Sequence, residues 1–375
     1  MIHRLIEILI KKAMSVKKVV IILGARQVGK TTLLKSMFEN EASFLWLNGD
    51  ELDVQNLFAS ISAERFKAYL GSKKIVIIDE AQRISDIGLR LKVLFDSLPD
   101  IKFFATGSSS FDLANNVNEP LTGRKIQFNL FPLNFAELVQ NSDLLTEKRL
   151  LPHRLVFGSY PEVVTSNGNE ISVLKELLQS YLYKDILTFE KIRRSDKLVK
   201  LLQALAWQIG SQVSYNELAQ TCSMDAKTVE HYITILEQAF IIFRLGSFSR
   251  NLRNELKSSR KIYFWDNGIR NAIIANFSPI ENRNDAGALW ENYLVSERLK
   301  KNSYNEAFAN FWFWRTKEQQ EIDYIEESNG KLNAFEFKWS DLAAKKAHFP
   351  LTFTRAYPNA NYKVISPENV EDFLL

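Results

Sequence analysis

The chain has 375 residues, 46% apolar and 25% charged, with a formal net charge of +4. That length exceeds one ordinary core, so roughly two or three domains of a soluble globular protein are expected. The slight charge excludes a nucleic-acid argument from the chain as a whole. The single cysteine, Cys222, excludes an internal disulfide and suits a reducing cytosol.

At the N-terminus Ile2, Leu5, Ile6, Leu9, Ile10 and Ala13 fit one helix face. Arg4 and Glu7 interrupt the apolar run and no small-residue cleavage site follows, so the segment is a poor signal peptide. No run approaches the roughly eighteen apolar residues of a membrane span. The expectation is a soluble cytoplasmic protein without a membrane partner.

Val19-Val20-Ile21-Ile22-Leu23 reads as a buried parallel strand. It runs into Gly24-Ala25-Arg26-Gln27-Val28-Gly29-Lys30-Thr31-Thr32, a G-x-x-x-x-G-K-T loop, and then a helical segment to Phe38. Such a loop turns backbone N–H groups inward, with a helix N-terminus behind it. Lys30 is expected to reach the β and γ phosphates of ATP, and the Thr31 hydroxyl to ligate Mg²⁺. Phe44–Asn48 reads as a second strand, and Ile75–Ile78 closes a third that ends in Asp79-Glu80. Asp79 at a buried strand end can hold the Mg²⁺ water shell, and Glu80 can polarise the attacking water as a general base.

A fourth strand, Ile101–Thr106, leads into Gly107-Ser108-Ser109-Ser110. A hydroxyl there would sit between the acids and the γ-phosphate; Ser108 is the expected sensor, a plain turn the alternative. Leu121-Thr122-Gly123-Arg124 precedes a fifth strand, Ile126–Leu130. Arg124 could supply positive charge to the phosphoryl group, in cis or from a neighbour, or be an ordinary surface arginine.

These motifs, with Ile78-Asp79-Glu80-Ala81-Gln82 and Phe131-Pro132-Leu133-Asn134-Phe135-Ala136-Glu137-Leu138, resemble the prokaryotic AAA-type ATP-binding proteins. Those proteins carry a C-terminal domain of unknown function similar to the PD-(D/E)xK nucleases. The resemblance covers nearly the whole chain. It implies an ATPase sheet of the class with a catalytic glutamate beside the second-motif aspartate, which Asp79-Glu80 matches. It also implies that the helices read from residues 144–209, around the turn at Phe157-Gly158-Ser159-Tyr160-Pro161, form a small lid over the nucleotide.

From Val213 the pattern changes. Ser214 caps a short helix with Glu217 in capping-box spacing, a turn follows at Cys222-Ser223-Met224, and Asp225 caps a longer helix. Val229, Ile233 and Leu236 give that helix one buried stripe. Short helix, turn, longer helix is a helix-turn-helix signature, and Phe240–Leu245 would open a wing. Arg244, Arg250, Arg253, Lys257, Arg260 and Lys261 could contact DNA or RNA phosphates. Against that, Glu230 and Glu237 weaken the groove-facing case, and winged helices also serve as protein-interaction modules.

In the C-terminal part, Glu321–Glu326 and Leu332–Trp339 alternate with period two around Asn329-Gly330, a hairpin signal. A two-residue turn makes Ser328 face Lys331, Asp323 face Glu336 and Glu321 face Lys338. The opposite face then carries Ile322, Tyr324, Phe335 and Phe337. The converging carboxylates of Asp323 and Glu336 suit Mg²⁺ or Mn²⁺, with Lys338 orienting a water. This spacing matches D-x(12)-E-x-K of the nuclease family, and Glu291 in Gly287–Leu294 matches that family's helical glutamate. The alternative is a charged face neutralised by Lys338 and Arg315. Asp266 also resembles a family position but reads as a structural cap, and four scattered histidines give no zinc site.

The expected architecture is α/β: a P-loop NTPase parallel sheet (residues 1–143), a helical lid (144–209), a winged helix (210–255) and a small restriction-endonuclease-like α/β domain (256–375). The expected function is ATP hydrolysis coupled to nucleic-acid binding or processing. The alternative is a nucleotide-dependent switch or scaffold that binds a protein partner through an inactive nuclease-like domain. The sequence leaves an oligomer open.

Overall fold

The computed structural model describes residues 2–39, 43–60, 62–108, 120–179, 195–249 and 260–375. The chain divides into two units, one of His3–Phe131 with Gln238–Phe240, the other built from Pro132–Glu237 and Ile241–Leu375.

The first unit runs α1 (Ile6–Met14), β1 (Val19–Leu23), α2 (Lys30–Phe38), β2 (Phe44–Asn48), α3 (Leu52–Ala59), α4 (Ala63–Leu70), β3 (Ile75–Asp79), α5 (Ile87–Ser97), β4 (Lys102–Gly107) and β5 (Lys125–Asn129). Its strands form a parallel sheet in the order β2-β3-β4-β1-β5. β1 and β3 are buried along their whole length, which is why they read as unbroken apolar runs rather than alternating ones. α1 turns Ile6, Leu9, Ile10 and Ala13 inward, the face expected from its spacing. β4 lies between β1 and β3, pairing Leu23 with Gly107 on one side and Ile78 with Ala105 on the other. The carboxyl ends of the three strands therefore meet at one edge.

The second unit runs α6 (Phe135–Asn141), α7 (Leu144–Phe157), α8 (Pro161–Thr165), α9 (Glu170–Leu177), α10 (Ser195–Trp207), β6 (Gln212–Val213), α11 (Tyr215–Cys222), α12 (Ala226–Gln238), β7 (Ile242–Ser247), β8 (Arg260–Phe264), α13 (Asn267–Ile273) and α14 (Ala286–Tyr304). β9 (Asn310–Arg315), β10 (Glu321–Ser328), β11 (Lys331–Phe337), α15 (Asp341–Lys345), α16 (Leu351–Ala356), β12 (Asn361–Ile365) and α17 (Glu371–Leu374) complete it. The strands make one sheet in the order β12-β11-β10-β9-β7-β8-β6. The parallel pairing of Gly246 with Trp312 and Ser247 with Phe313 joins β7 to the C-terminal strands. α11 and α12 form the expected helix pair, with Asp225 Oδ1 accepting from Thr228 N–H at 2.8 Å and Val229, Ile233 and Leu236 buried. At α11 the Ser214 half of the capping box is present but long, 3.4 Å from Glu217 N–H.

Asn329 and Gly330 turn the β10–β11 hairpin with φ of 51° and 74°, the left-handed pair that a tight two-residue hairpin requires. The ladder runs from Ser328↔Lys331 to Tyr324↔Phe335, the expected register. The expected face does not hold beyond it. The pairing of β10 with β9 shifts by one residue between Ile322 and Ile325, so both isoleucines enter one apolar cluster with Phe248, Leu332 and Phe353. Tyr324 instead packs with Phe335, Phe337 and Phe373. A bulge re-aims the side chains of a strand, which strict alternation does not foresee.

Asp266 is the structural cap that its sequence context suggests. It is buried, and its carboxylate accepts from Ile269 N–H at 3.0 Å and Ser159 N–H at 2.7 Å, tying α13 to the chain leaving α7. Replacing it with alanine strands both amides, so Asp266→Ala is expected to cost about 2–4 kcal/mol of unfolding free energy in urea titration. A loss under about 0.5 kcal/mol, the ordinary surface value, would contradict the role.

Candidate functional site

The glycine-rich loop follows β1 directly. At Gly24 an added Cβ would lie 2.1 Å from the Leu130 carbonyl oxygen, so only glycine lets the two backbones pass. Lys30 opens α2 behind Gly29 and folds back over the loop, its Nζ donating to Gly24 O at 2.9 Å and Ala25 O at 2.8 Å. Burial lowers the Lys30 ammonium to about 8, although Glu80 and Asp79 pull the other way. From the N-terminal segment, buried Arg4 donates to Val28 O at 2.7 Å and to Phe131 O at 2.6 Å. Arg4 thus ties the loop to the chain leaving β5. Its place in an apolar helix pattern made it legible only as an interruption of a leader.

At the tip of β3, Asp79 takes two hydroxyls. Thr31 Oγ1 donates to Oδ2 at 2.8 Å, and Thr106 Oγ1, from the tip of β4, donates to Oδ1. Thr106 also accepts from Glu80 N–H at 3.1 Å. Glu80 sits in left-handed backbone geometry, φ 49°, a strained position for a non-glycine residue and of the kind that gathers at functional sites. Its Oε2 accepts from Gln82 Nε2 at 2.6 Å, and the same nitrogen donates to Ser108 Oγ at 3.0 Å. Gln82 Oε1 is buried with no hydrogen-bond partner among the described residues. Thr31, Asp79, Glu80 and Ser108 are linked through Thr106 and Gln82, with Lys30 in the adjoining loop, while Ser109 and Ser110 lie outside the described residues. Thr106 and Gln82 stood in the quoted motifs without an assigned role.

The donor set fits a magnesium nucleotide. Thr31 and Asp79 offer converging oxygens of the hard kind Mg²⁺ prefers. Lys30 and the loop amides offer a cationic concavity to phosphate.

Arg124 is a correction. It precedes β5, and its carbonyl accepts from Val19 N–H at the start of β1. In a parallel sheet that is the end opposite the loop, about 16 Å away along a five-residue strand. There its Nε pairs with Asp96 at 2.9 Å. A role toward the same chain's phosphates is excluded by this topology; the neighbour alternative would need a second copy.

Residues 16–139 match an AAA domain. Residues 148–280 match a domain of unknown function (DUF8612), and residues 286–371 match another (DUF4143). The chain is 26% identical over 337 residues to an uncharacterized protein of Mycobacterium tuberculosis, covering 88% of this chain and 72% of that one. It is 25% identical over 330 residues to an uncharacterized protein of Methanocaldococcus jannaschii, covering 82% and 72%. Among solved structures it is similar to a Walker-type ATPase of Pyrococcus abyssi, with a TM-score of 0.50 and 17% identity, covering 72% of this chain and 94% of that one. At that identity the likeness speaks to fold alone. Together with the parallel sheet it establishes a P-loop NTPase-like fold, and the AAA match is consistent with nucleotide binding. No helix among the described residues is long and apolar enough to cross a membrane.

In the second unit, the acids expected to form a metal centre converge but are already engaged. Asp323 Oδ2 accepts from Phe337 N–H at 2.7 Å, and Glu336 pairs with Lys338. Glu291 takes Lys261 Nζ at 2.7 Å and Tyr263 Oη at 2.6 Å. Glu321, expected opposite Lys338, pairs instead with Lys261 and with Arg315. Among the described residues no group of three or more His, Cys, Asp or Glu side chains is arranged to hold a metal ion. Two members of the expected set, Glu291 and Glu336, are paired with Lys261 and Lys338.

Lys261 is a second correction. Read as a basic wing residue, it is 1% exposed and lies within this cluster. Arg244 is likewise paired, with Glu237 and Tyr215. Arg250, Arg253 and Lys257 lie outside the described residues.

The state of Lys30 makes a pH prediction. With its ammonium lowered from 10.5 to about 8, the folded nucleotide-free protein bears the cost of a buried charge below that pH. The cost is shed as pH rises through the window to 10.5, so this contribution to stability increases there. Triphosphate needs the charged form, so affinity for a fluorescent ATP analogue should fall about tenfold per pH unit above the folded value. Affinity unchanged between about pH 7 and 9 would count against a lysine poised in this way.

Proposed function

We propose that this protein binds ATP with Mg²⁺ and hydrolyses it at the edge where β1, β3 and β4 end. The observation that carries the reading is the meeting of Thr31 and Thr106 on Asp79, with Glu80 beside it and Lys30 in the loop. Loop amides and Lys30 bind the β and γ phosphates. Thr31 and Asp79 would hold Mg²⁺, which when bound offsets charge on the phosphate oxygens. Glu80 accepts a proton from the attacking water. Gln82, through one amide nitrogen, sets the distance between that base and Ser108.

For the second unit, the expected reading is a winged helix followed by a nuclease-like domain that engages nucleic acid. The α11–α12 pair supports it. The pairing of Arg244 and the burial of Lys261 favour the other reading, in which nucleotide state governs a scaffold that binds a protein partner.

Phosphate release is the test. Lys30→Ala should lose nucleotide binding. Glu80→Gln should bind ATP as the wild type does, with turnover reduced about 10²–10⁴-fold, the usual weight of a general base. Wild-type turnover in Glu80→Gln would remove the assigned base. Gln82→Ala should lower kcat about tenfold with nucleotide affinity retained, since it loosens the base without touching the phosphate loop.

A further inference from the structure

We propose that Lys261 is the resident cation of the C-terminal carboxylate cluster. Its ammonium takes the place that a divalent metal would take among Glu291, Glu321 and Asp323. The cluster is then a self-neutralised structural core, and the inference deepens the scaffold reading above while standing independently of ATP hydrolysis.

The geometry comes first. Lys261 projects from β8, with its Nζ 2.7 Å from Glu291 of α14 and in direct contact with Glu321 of β10. One ammonium thus bridges a helix and a strand of the cluster. The contact is enclosed: Lys261 is 1% exposed, and Nζ lies 5.4 Å from the centre of the Phe313 ring. Tyr263, two residues along the same strand and on the same face, donates to the Glu291 oxygen that Lys261 also holds. A lysine has three donors and no acceptor, and here carboxylates, rather than backbone carbonyls, receive them.

Charge balance points the same way. The cluster contains four acids, Glu291, Glu321, Asp323 and Glu336, against three cations, Lys261, Arg315 and Lys338. Each of the three cations is paired within the cluster: Lys261 with Glu291 and Glu321, Arg315 with Glu321, and Lys338 with Glu336. Inserting a divalent ion would require expelling a buried, paired ammonium, and breaking such a pair leaves an uncompensated charge.

Removing the ammonium should therefore open the metal site it fills. The probe is Mn²⁺, titrated into nucleotide-free full-length chain and followed by electron paramagnetic resonance of the free ion. Wild type and Asp323→Asn should give the same titration. Lys261→Ala should gain one Mn²⁺ per chain, bound at least about tenfold more tightly than any wild-type site, and lose it again when Glu291→Gln is added. Should Lys261→Ala fold poorly, Lys261→Met keeps the length without the charge. Mn²⁺ at about a hundred times its Kd should then raise the Tm of that variant by about 5–10 °C and leave wild type unmoved. Wild-type Mn²⁺ binding that weakens in Asp323→Asn overturns the proposal. So does a folded Lys261→Ala or Lys261→Met that gains no Mn²⁺. If neither variant folds, the wild-type and Asp323→Asn titrations decide it alone.

Discussion

Asp79 stands at the point where three strands of a parallel sheet end, and the local order of the first unit follows from what its two oxygens accept. One takes the Thr31 hydroxyl from the start of α2, the other the Thr106 hydroxyl from the tip of β4. A buried carboxylate without such donors would be costly. With them it fixes the loop-bearing helix relative to a strand two places away. Thr106 then passes the order on through Glu80 N–H, and Gln82 passes it to Ser108. Gly49 serves the same assembly from β2, since a Cβ there would come within 2.4 Å of the Glu80 carbonyl oxygen.

Lys30 and Lys261, one in each unit, are buried lysines held by opposite kinds of partner. Lys30 is held by carbonyl oxygens, which are neutral, so burial prevails and its ammonium falls to about 8. In the proposed ATP complex, phosphate would supply the missing opposite charge. Lys261 is held by carboxylates, which raise it above its ordinary value and leave no charge to satisfy. Lys102 is also lowered to about 8 by burial, but the carbonyls of Ala13, Val16 and Lys18 that it holds close the end of α1. Partner chemistry together with loop context, rather than burial alone, separates a binding lysine from a structural one.

Much of the nucleotide site was legible because its signals are local. An unbroken apolar strand, a glycine-spaced loop and acids at a strand end each owe their form to a few neighbouring residues. Asn329-Gly330 likewise specified the hairpin and its register, since that turn demands left-handed backbone at both positions. Legibility ended where a side chain answers to distant partners. Arg124 read either as a phosphate contact or as an ordinary surface arginine, and strand direction carried it to the far end of the sheet, where it pairs with Asp96. The bulge between Ile322 and Ile325 re-aimed the acid-bearing strand. Lys261 read as one of a basic run, although its neighbours in space are acids contributed by a helix and another strand.

By itself the amino-acid sequence determined the parallel sheet, the phosphate loop and the identity of the acids that could act beside it. Strand burial and turn geometry are short-range properties, and a motif of fixed spacing carries its own backbone. Which groups neutralise which charges was decided only in three dimensions. Electrostatic pairing follows distance through the folded interior rather than distance along the chain, and burial magnifies it there.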